Sequence, residues 1–568
     1  LPAVPLFPGA VAKVTEWLAL QGDGVASRVP EKERGTACKV WRLLEAFPAL
    51  EGGSPYLVLE VDFPASPARI EFDRCICLRL PHVESDGHLC HSVLPEPQDF
   101  EAPTEAVGRV LARLREYFIQ CAQPGWADME FHRERQDYWS RYAAAAKAPA
   151  GFITSEVLLD VDAAEVDSCI AATVVLANEK SVLVTTSVGN AELLAKQRGW
   201  PVGTIVRGKA LVLRLPSAYQ WTPRTWPRSF VELDAIASRY CCAAPNPSSW
   251  YRQGRWPNKA PVFVVFLQEA AAFGWRIIPQ HFARAKAEML LPVDVNRIDR
   301  QWCLSRDYRT TELASLSKKQ VLVFGCGALG SPVIELLARA GVGKIEVVDP
   351  QRFEAENVSR HVLDVTSIGG SKASALATRI NMGVPGAKVI AHKDSALRWL
   401  AQAAGVLRFD LVIDCTGEAA VRVGTSRLRA SALAGAPLLM GWMEPFGAAV
   451  HAVAVTGSDE WPDADPAESL VNFATWPDDL LIRLPGCGHG FHPYGMADVW
   501  RGAGLVVQRA LALLGETETH SGIWSMVRDK DYFSRNAPDA SLNREIPSMP
   551  GMESVTVTRD FGEVFDGR

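Results

Sequence analysis

No C-x-x-C pair occurs in this sequence, although cysteine is present twelve times. Cys75-x-Cys77 and Cys241-Cys242 stand too close together for ordinary disulfides within themselves, and they lack zinc-finger spacing. The expectation is no structural zinc and thiols kept reduced, as in the cytoplasm. No apolar run approaches the roughly 20 residues a membrane helix needs. The apolar start LPAVPLFPGAVAK has no basic residue ahead of it, and Lys13 and Glu16 interrupt it, so it reads as mature structure and not as a signal peptide. A basic excess is also missing. Lys and Arg number 59 against 65 Asp and Glu, a net charge of −6, which argues against nucleic acid or an anionic membrane as partner.

What is present is a chain of 568 residues, 48% hydrophobic and 22% charged. That composition suits a well-packed globular protein, and the length suits about three or four domains.

The most informative stretch is Lys319 to His361. Gln320 to Phe324 is a short, apolar, β-branched run suited to a buried parallel strand. Gly325-Cys326-Gly327-Ala328-Leu329-Gly330 follows at once. Ser331 to Ala340 then reads as a helix that tolerates Pro332 in its first turn. Lys344 to Val348 reads as a second strand, ending on Asp349. This is a βαβ nucleotide-binding unit. The glycines permit close backbone approach to phosphate, the helix N-terminus offers free N–H groups, and the acid can bind ribose hydroxyls.

A glycine turn followed by an acid mostly means dinucleotide binding, but the sequel differs. Asn357 lies eight residues after Asp349 and Arg360 eleven after; Lys372 follows in GGSKASA, and Asp414 closes the strand LVID. Two cations, an amide and a second acid suit a triphosphate with magnesium better than a nicotinamide ring. The constellation resembles the ThiF/MoeB/HesA adenylating family, which includes the ubiquitin-activating enzymes. The resemblance implies a doubly wound, Rossmann-like domain over 291–568 that binds ATP and Mg²⁺. Asp349 would hold the ribose, Asn357, Arg360 and Lys372 the phosphates, and Asp414 the metal or the phosphate network. It also implies a homodimer, in which Arg300 or Arg306 reaches the ATP of the partner subunit. Many relatives carry a second acid where Gln351 stands. The family's thioester- or persulfide-forming cysteine precedes a late helix. Here that position falls to Cys487 in PGCGHG, ahead of a helix expected from about Ala497 to Leu514. Cys326 and Cys415 read as packing residues.

Toward the N-terminus, Pro8 to Leu20 reads as a helix, and Cys38 to Phe47, Tyr56 to Phe63 and Arg69 to Phe72 as strands. LPHVESDGHLCHSVLP comes next, then helices over Thr104 to Cys121 and Asp128 to Ala146. Helix, strand meander, PH-x(7)-C and helix resemble a ubiquitin-conjugating enzyme over residues 1–150. The resemblance implies that Cys90 is the acyl-bearing thiol. Leu80 stands in place of the family histidine, and His82 in place of the asparagine that stabilises the oxyanion. His82 is therefore a candidate hydrogen-bond donor or base. His88 and His91 flank the cysteine and are candidates for raising its thiolate fraction.

Residues 151–290 alternate strands with turns and read as a β-rich connecting domain without a chemical motif. Its tryptophans, among them Trp221 and Trp226, suit either a core or a partner surface. From Val527 onward two more strands are expected.

A conjugating domain ahead of an adenylating domain resembles the bacterial activating–conjugating fusion proteins of antiphage operons, the CBASS systems above all. The implied chemistry is ATP-dependent activation of a protein C-terminal carboxylate, a thioester on Cys487, transthiolation to Cys90, and ligation to a lysine or other amine. The implied substrate is a cyclic-oligonucleotide synthase or a ubiquitin-like modifier. Three alternatives stand beside this: a sulfur-carrier adenylyltransferase of the thiamine or molybdopterin kind, a non-catalytic scaffold, and an NAD-dependent oxidoreductase, which Asn357, Arg360 and Lys372 argue against.

Overall fold

The computed structural model describes all residues except 1–3, 22–24, 30–36, 45–52, 150–151, 153–155, 162–165, 167–168, 178–180, 187, 198, 201–205, 242–243, 255–259, 281–287, 306–311, 403–404, 478–479, 481, 484–489, 547–550 and 566–568. The chain divides into two compact units, Leu1–Arg297 and Ile298–Arg568.

The first unit begins with helix Pro8–Leu20. Its Val11, Val14 and Leu18 recur at helical spacing and are buried with Val107, Val110, Leu111 and Leu114 of helix Pro103–Cys121. Both helices pack on a four-stranded antiparallel meander of Ala26–Arg28, Ala37–Leu43, Tyr56–Glu60 and Arg69–Glu71. Side chains alternate across it: Leu57 and Leu59 join the helices, while Val58 packs with Val40 on the other face. The single helix expected over Asp128 to Ala146 is two, Trp126–Arg133 and Arg135–Ala145. Glu134 breaks it with φ −104° and ψ 28°, outside the helical region.

The second half of this unit is an eight-stranded mixed sheet. Its order is Met289–Val293, Ala271–Ile278, Val262–Gln268, Val206–Arg214, Cys169–Ala177, Ser181–Thr185, Glu156–Asp160 and Val295–Arg297. The strand Ala271–Ile278 is buried along its whole length and lacks the alternation that reveals half-buried strands, so pattern reading passes over it. Trp221 and Trp226 are core residues, not surface: they pack edge-on against Trp139, whose indole N–H donates to the Val293 carbonyl at 3.0 Å. Helix Arg135–Ala145 thus anchors in the core of the larger sheet.

The second unit is a doubly wound sheet. Val389–His392, Lys344–Val348, Gln320–Phe324, Leu411–Asp414 and Leu438–Met443 run parallel in that order. Ala449–Val455, Gly522–Arg528 and Ser554–Asp560 extend it antiparallel. The two late strands expected from Val527 onward are Ser541–Leu542, which pairs with Ala474–Thr475, and Ser554–Asp560, which forms the edge of the large sheet. Val321, Val323, Ile345 and Val347 face helices Gly330–Arg339, Lys372–Gly383 and Met496–Leu514; Leu322, Phe324, Val348 and Val412 face the opposite layer, with Val421 of helix Ala419–Ala432. Burial on both faces explains why these strands read as continuous apolar runs. Among the described residues no helix is long and apolar enough to cross a membrane.

Candidate active site

The glycine turn leaves the sheet after Phe324. Gly325 has φ +88°, and a Cβ there would stand 2.9 Å from the Cys415 carbonyl carbon and the Thr416 nitrogen. A Cβ on Gly330 would lie 2.0 Å from the Gly325 oxygen. Both positions therefore require glycine, one for its backbone and one for the close approach. Gly327 has open space beside it, where a ligand can come up to the backbone. Ala328 is half-buried, and Leu329 is buried against the late helix at Gly502.

Asp349 holds the turn from the next strand. One carboxylate oxygen accepts the Cys326 N–H and the other the Gln351 N–H, both at 2.7 Å. A cavity of about 300 Å³ opens here, lined by Gly325, Gly327, Asp349, Gln351, Thr416 and Glu418 among others. Lys372, 6% exposed, donates its Nζ to Gln351 Oε1 at 2.7 Å. Burial lowers its pKa, and the nearby Asp349 carboxylate opposes that. The glutamine thus gives the buried ammonium a neutral partner and leaves its charge available to an anion.

Asp414 lies under the turn, 2% exposed. Its Oδ1 accepts from the Thr416 N–H at 2.9 Å and the Thr416 hydroxyl at 2.7 Å. Its Oδ2 is buried without a hydrogen-bond partner among the described residues. Burial pushes the carboxyl up to about 6. An orphaned carboxylate oxygen fits a hard cation. Among the described residues no group of three acids, histidines or cysteines could cage a metal. One carboxylate is nonetheless enough for Mg²⁺, which takes its other oxygens from water and phosphate.

Asn357 and Arg360 sit on one 3₁₀ segment, Ala355–Arg360. Asn357 Oδ1 accepts the Glu354 N–H at 3.1 Å. Arg360 donates to the His492 carbonyl at 3.0 Å, with its guanidinium 5.0 Å from the centre of the Tyr494 ring. His492 lies five residues after Cys487, which is itself outside the described residues, as is Arg306. Arg300, expected to reach a partner's ATP, donates its Nη2 to the Gly341 carbonyl and packs its stem on Gly386 within its own unit. Cys326 and Cys415 are buried, and burial drives both thiol pKa values upward, as suits packing residues.

In the first unit Cys90 is exposed and lines a cavity of about 580 Å³ with Glu60, Asp62, Arg69, His88 and His91. Two turns place it. Gly87, with φ +94°, approaches Phe72 so closely that a Cβ would fall 2.2 Å from the Phe72 oxygen. His82 holds φ +61°, an uncommon conformation for a non-glycine residue. Its surroundings fix it there. Its N–H donates to the Tyr138 hydroxyl at 2.5 Å, its ring nitrogens face Glu130 at 3.1 Å and Glu134 at 3.3 Å, and Tyr117 donates to the Pro81 carbonyl at 2.7 Å. The Cys90 N–H donates to the His82 carbonyl at 2.8 Å. Both ring nitrogens of His82 are thus engaged by carboxylates away from the cavity lining, and what this residue offers Cys90 is its backbone.

His88 and His91, the candidates for raising the thiolate fraction, are both shifted toward the neutral form. Burial and the Arg69 charge lower His88 to about 4, and burial lowers His91. Both are neutral near pH 7. His91 is fully bonded, with Nε2 to the Ala68 carbonyl at 2.9 Å and Nδ1 accepting the Val93 N–H at 3.1 Å. Sequence reasoning missed Glu60, Asp62 and Thr416. The first two come from a strand end and turn some 30 residues before the cysteine.

A second constellation misleads if read as chemistry alone. His451 bonds Ser525 and Glu444, each at 2.8 Å, in the arrangement of a nucleophile triad. All three are no more than 1% exposed, and Glu444 also accepts from Phe473, Ala474 and Trp476. It is an internal brace.

Residues 299–460 match the ThiF family and residues 32–147 match prokaryotic E2 family B, so the two occur in one polypeptide. An ATP-dependent ubiquitin transferase-like protein Cap2 from Vibrio cholerae is 33% identical over 153 residues, 26% of this chain and 24% of the relative. One from Pseudomonas aeruginosa is 29% identical over 175 residues, 30% of each chain. The adenylyltransferase and sulfurtransferase MOCS3 of Bos taurus is 37% identical over 131 residues, 22% of this chain and 27% of the relative. The chain therefore spans less than a third of the length of each. Among solved structures, Escherichia coli TcdA in complex with AMP aligns at TM-score 0.28 and 18% identity, over 39% of this chain and 97% of its own.

Proposed function

We propose that this chain activates the C-terminal carboxylate of a protein with ATP, carries the acyl group on Cys487 and then Cys90, and joins it to an amine. The observation that carries the reading is the pairing, in one polypeptide, of a glycine-turn cavity lined by Asp349 and Thr416 with an exposed thiol in a cavity of its own. A carboxylate is a poor electrophile at neutral pH. In the first step its oxygen attacks the α-phosphorus of ATP, pyrophosphate leaves, and an acyl adenylate forms. Gly327 gives backbone access, Asp349 receives ribose hydroxyls, and Lys372, Asn357 and Arg360 neutralise phosphate charge. Mg²⁺, when bound, neutralises phosphoryl charge, and Asp414 Oδ2 would hold it.

Cys487 thiolate then attacks the adenylate carbonyl and AMP leaves. Arg360 ties the segment after Cys487 to the nucleotide unit, which supports this assignment. Cys90 takes the acyl group by exchange of one thioester for another. The relay divides a difficult amide synthesis into easier steps. The substrate is a cyclic-oligonucleotide synthase or a ubiquitin-like modifier, the setting is bacterial antiphage defence, and the second unit forms a homodimer. The test is ATP–pyrophosphate exchange followed by detection of a DTT-sensitive adduct with the products of neighbouring genes. Exchange without any adduct on Cys90 removes the relay.

The match to an adenylyltransferase and sulfurtransferase favours a second reading, in which the first unit is structural. Cys90→Ala separates the two: an unchanged overall reaction supports sulfur-carrier chemistry.

A further inference from the structure

We propose that His88 is the general base that takes a proton from a lysine-type amine as it attacks an acyl group on Cys90. This rests on the reading of Cys90 as the last acyl carrier. Two histidines line the cavity with that thiol, a third, His82, turns its ring away from it, and their polar contacts separate the three. His82 has both ring nitrogens on carboxylates, and His91 has one on a carbonyl and one on an N–H. The His88 ring has no hydrogen-bond partner among the described residues, and it lines the same cavity as Cys90.

The ring is nevertheless held in place. The His88 N–H donates to Asp86 at 3.0 Å, and its carbonyl accepts the Glu84 N–H at 2.7 Å. The His91 ring meets it edge-on with centroids 6.3 Å apart. Burial, Arg69 and His91 favour the neutral ring, against Asp86 and Glu60. A neutral imidazole accepts a proton and supplies no charge to a thiolate, so its use lies in the aminolysis step.

The acceptor's chemistry follows from the rest of the lining. Glu60 and Asp62 both line the cavity. The one cation in its lining, Arg69, is paired with Glu60 at 3.0 Å, Asp86 at 3.2 Å and Glu71 at 3.7 Å, and Asp62 accepts the Ser66 hydroxyl at 2.6 Å. Such a cavity draws in a primary ammonium. That ammonium first releases one proton to water. The nitrogen lone pair then attacks the thioester carbonyl, the C–N bond forms, and the C–S bond breaks. His88 takes the second proton from nitrogen and returns it to the Cys90 thiolate.

The experiment loads the full chain without its protein substrate, using the mercaptoethanesulfonate thioester of N-acetylglycine. Acylation at Cys90 is mapped by peptide mass, with Cys90→Ala as control. Loaded protein is then discharged into L-lysine or into DTT, whose thiolate attacks the thioester with no proton to remove. Wild type and His88→Gln are expected to load alike. Lysine discharge should slow at least about tenfold in His88→Gln, with DTT discharge little changed. Added imidazole should restore the lysine rate in His88→Ala. Asp62→Asn should raise the lysine concentration needed for half-maximal rate and leave the maximal rate in place.

A loaded His88→Gln protein that discharges to lysine at the wild-type rate overturns the proposal. So does equal slowing with both nucleophiles, which would mark a damaged cavity. Failure of wild-type Cys90 to acylate while other thiols do removes the Cys90 reading itself, and the inference with it.

Discussion

The glycine turn at Gly325 and the cysteine turn at Cys90 are built by opposite means. At Gly325 the backbone is the working surface. Side chains around it are buried and committed: Asp349 to two N–H groups, Lys372 to Gln351, Asp414 to Thr416. What is left over is a small set of groups, Gly327's open face and one Asp414 oxygen; in the proposed reading the first admits a phosphate and the second holds the cation that accompanies it. At Cys90 the backbone is locked, and the side chains are the working surface. His82 is held from three sides in an uncommon conformation so that its carbonyl can fix the Cys90 N–H, while the thiol and His88 stay available. On the proposed reading, buried and committed side chains serve a bound ligand at one turn, and a strained backbone serves a covalent carrier at the other.

The largest effect expected from this contrast is on the first reaction. Asp414→Ala should reduce ATP–pyrophosphate exchange at least about a hundredfold, because it removes a buried carboxylate oxygen that has no hydrogen-bond partner among the described residues. It should leave alkylation of Cys90 by iodoacetamide unchanged. Slow alkylation in that variant would mean the two turns are not separate devices.

Glycine substitutions should divide the same way. Gly325→Ala meets backbone at 2.9 Å and Gly87→Ala at 2.2 Å, each with positive φ. Each should cost about 1–3 kcal/mol of local stability, read by hydrogen exchange. Gly325→Ala should suppress pyrophosphate exchange alone, and Gly87→Ala should suppress acylation of Cys90 alone.

A subtler difference is in pH. The Asp414 carboxyl is raised to about 6 from 3.8, so its contribution to stability is full below pH 4 and is lost as pH rises through 6. The loss is at most about 3 kcal/mol, from roughly two pKa units. Thermal melts of the nucleotide-free protein should therefore fall across that window. Asp414→Asn should flatten the curve. A melt that rises over pH 4–6 in wild type and not in the variant would reverse the assigned sign.

The smallest effect belongs to the His82 clamp. Glu130→Gln should destabilise the first unit by about 0.5–1.5 kcal/mol in denaturant melts, since the amide keeps a weaker contact to the half-buried ring.

The glycine turn was legible because its spacing is local: strand, glycines, helix and acid lie within some 30 residues, and their periodicity changes from 2 to 3.6 and back. Asn357, Arg360, Lys372 and Asp414 were found by the same adjacency. Cys90 was found through its neighbours Pro81 and His82, but the direction of the His82 ring was not. Glu130 and Glu134, which determine it, arrive on a helix and at the break that follows it, some 50 residues later. His88 was visible as a histidine two residues before the thiol. Its separation from His91 depends on which ring finds a partner in the fold, and that information is nonlocal. The strand Ala271–Ile278 and the break at Glu134 escaped for related reasons: a fully buried strand has no alternation, and one non-helical residue leaves the apolar period nearly intact.

The central claim is that acyl groups pass from the nucleotide turn through Cys487 to Cys90. The most direct test is peptide-mass mapping of the DTT-sensitive adduct formed with ATP and the substrate protein, in wild type and in Cys487→Ala. The account predicts an adduct on Cys90 in wild type, and in Cys487→Ala retained pyrophosphate exchange with Cys90 empty. Cys90 loaded to the wild-type level in Cys487→Ala would contradict it.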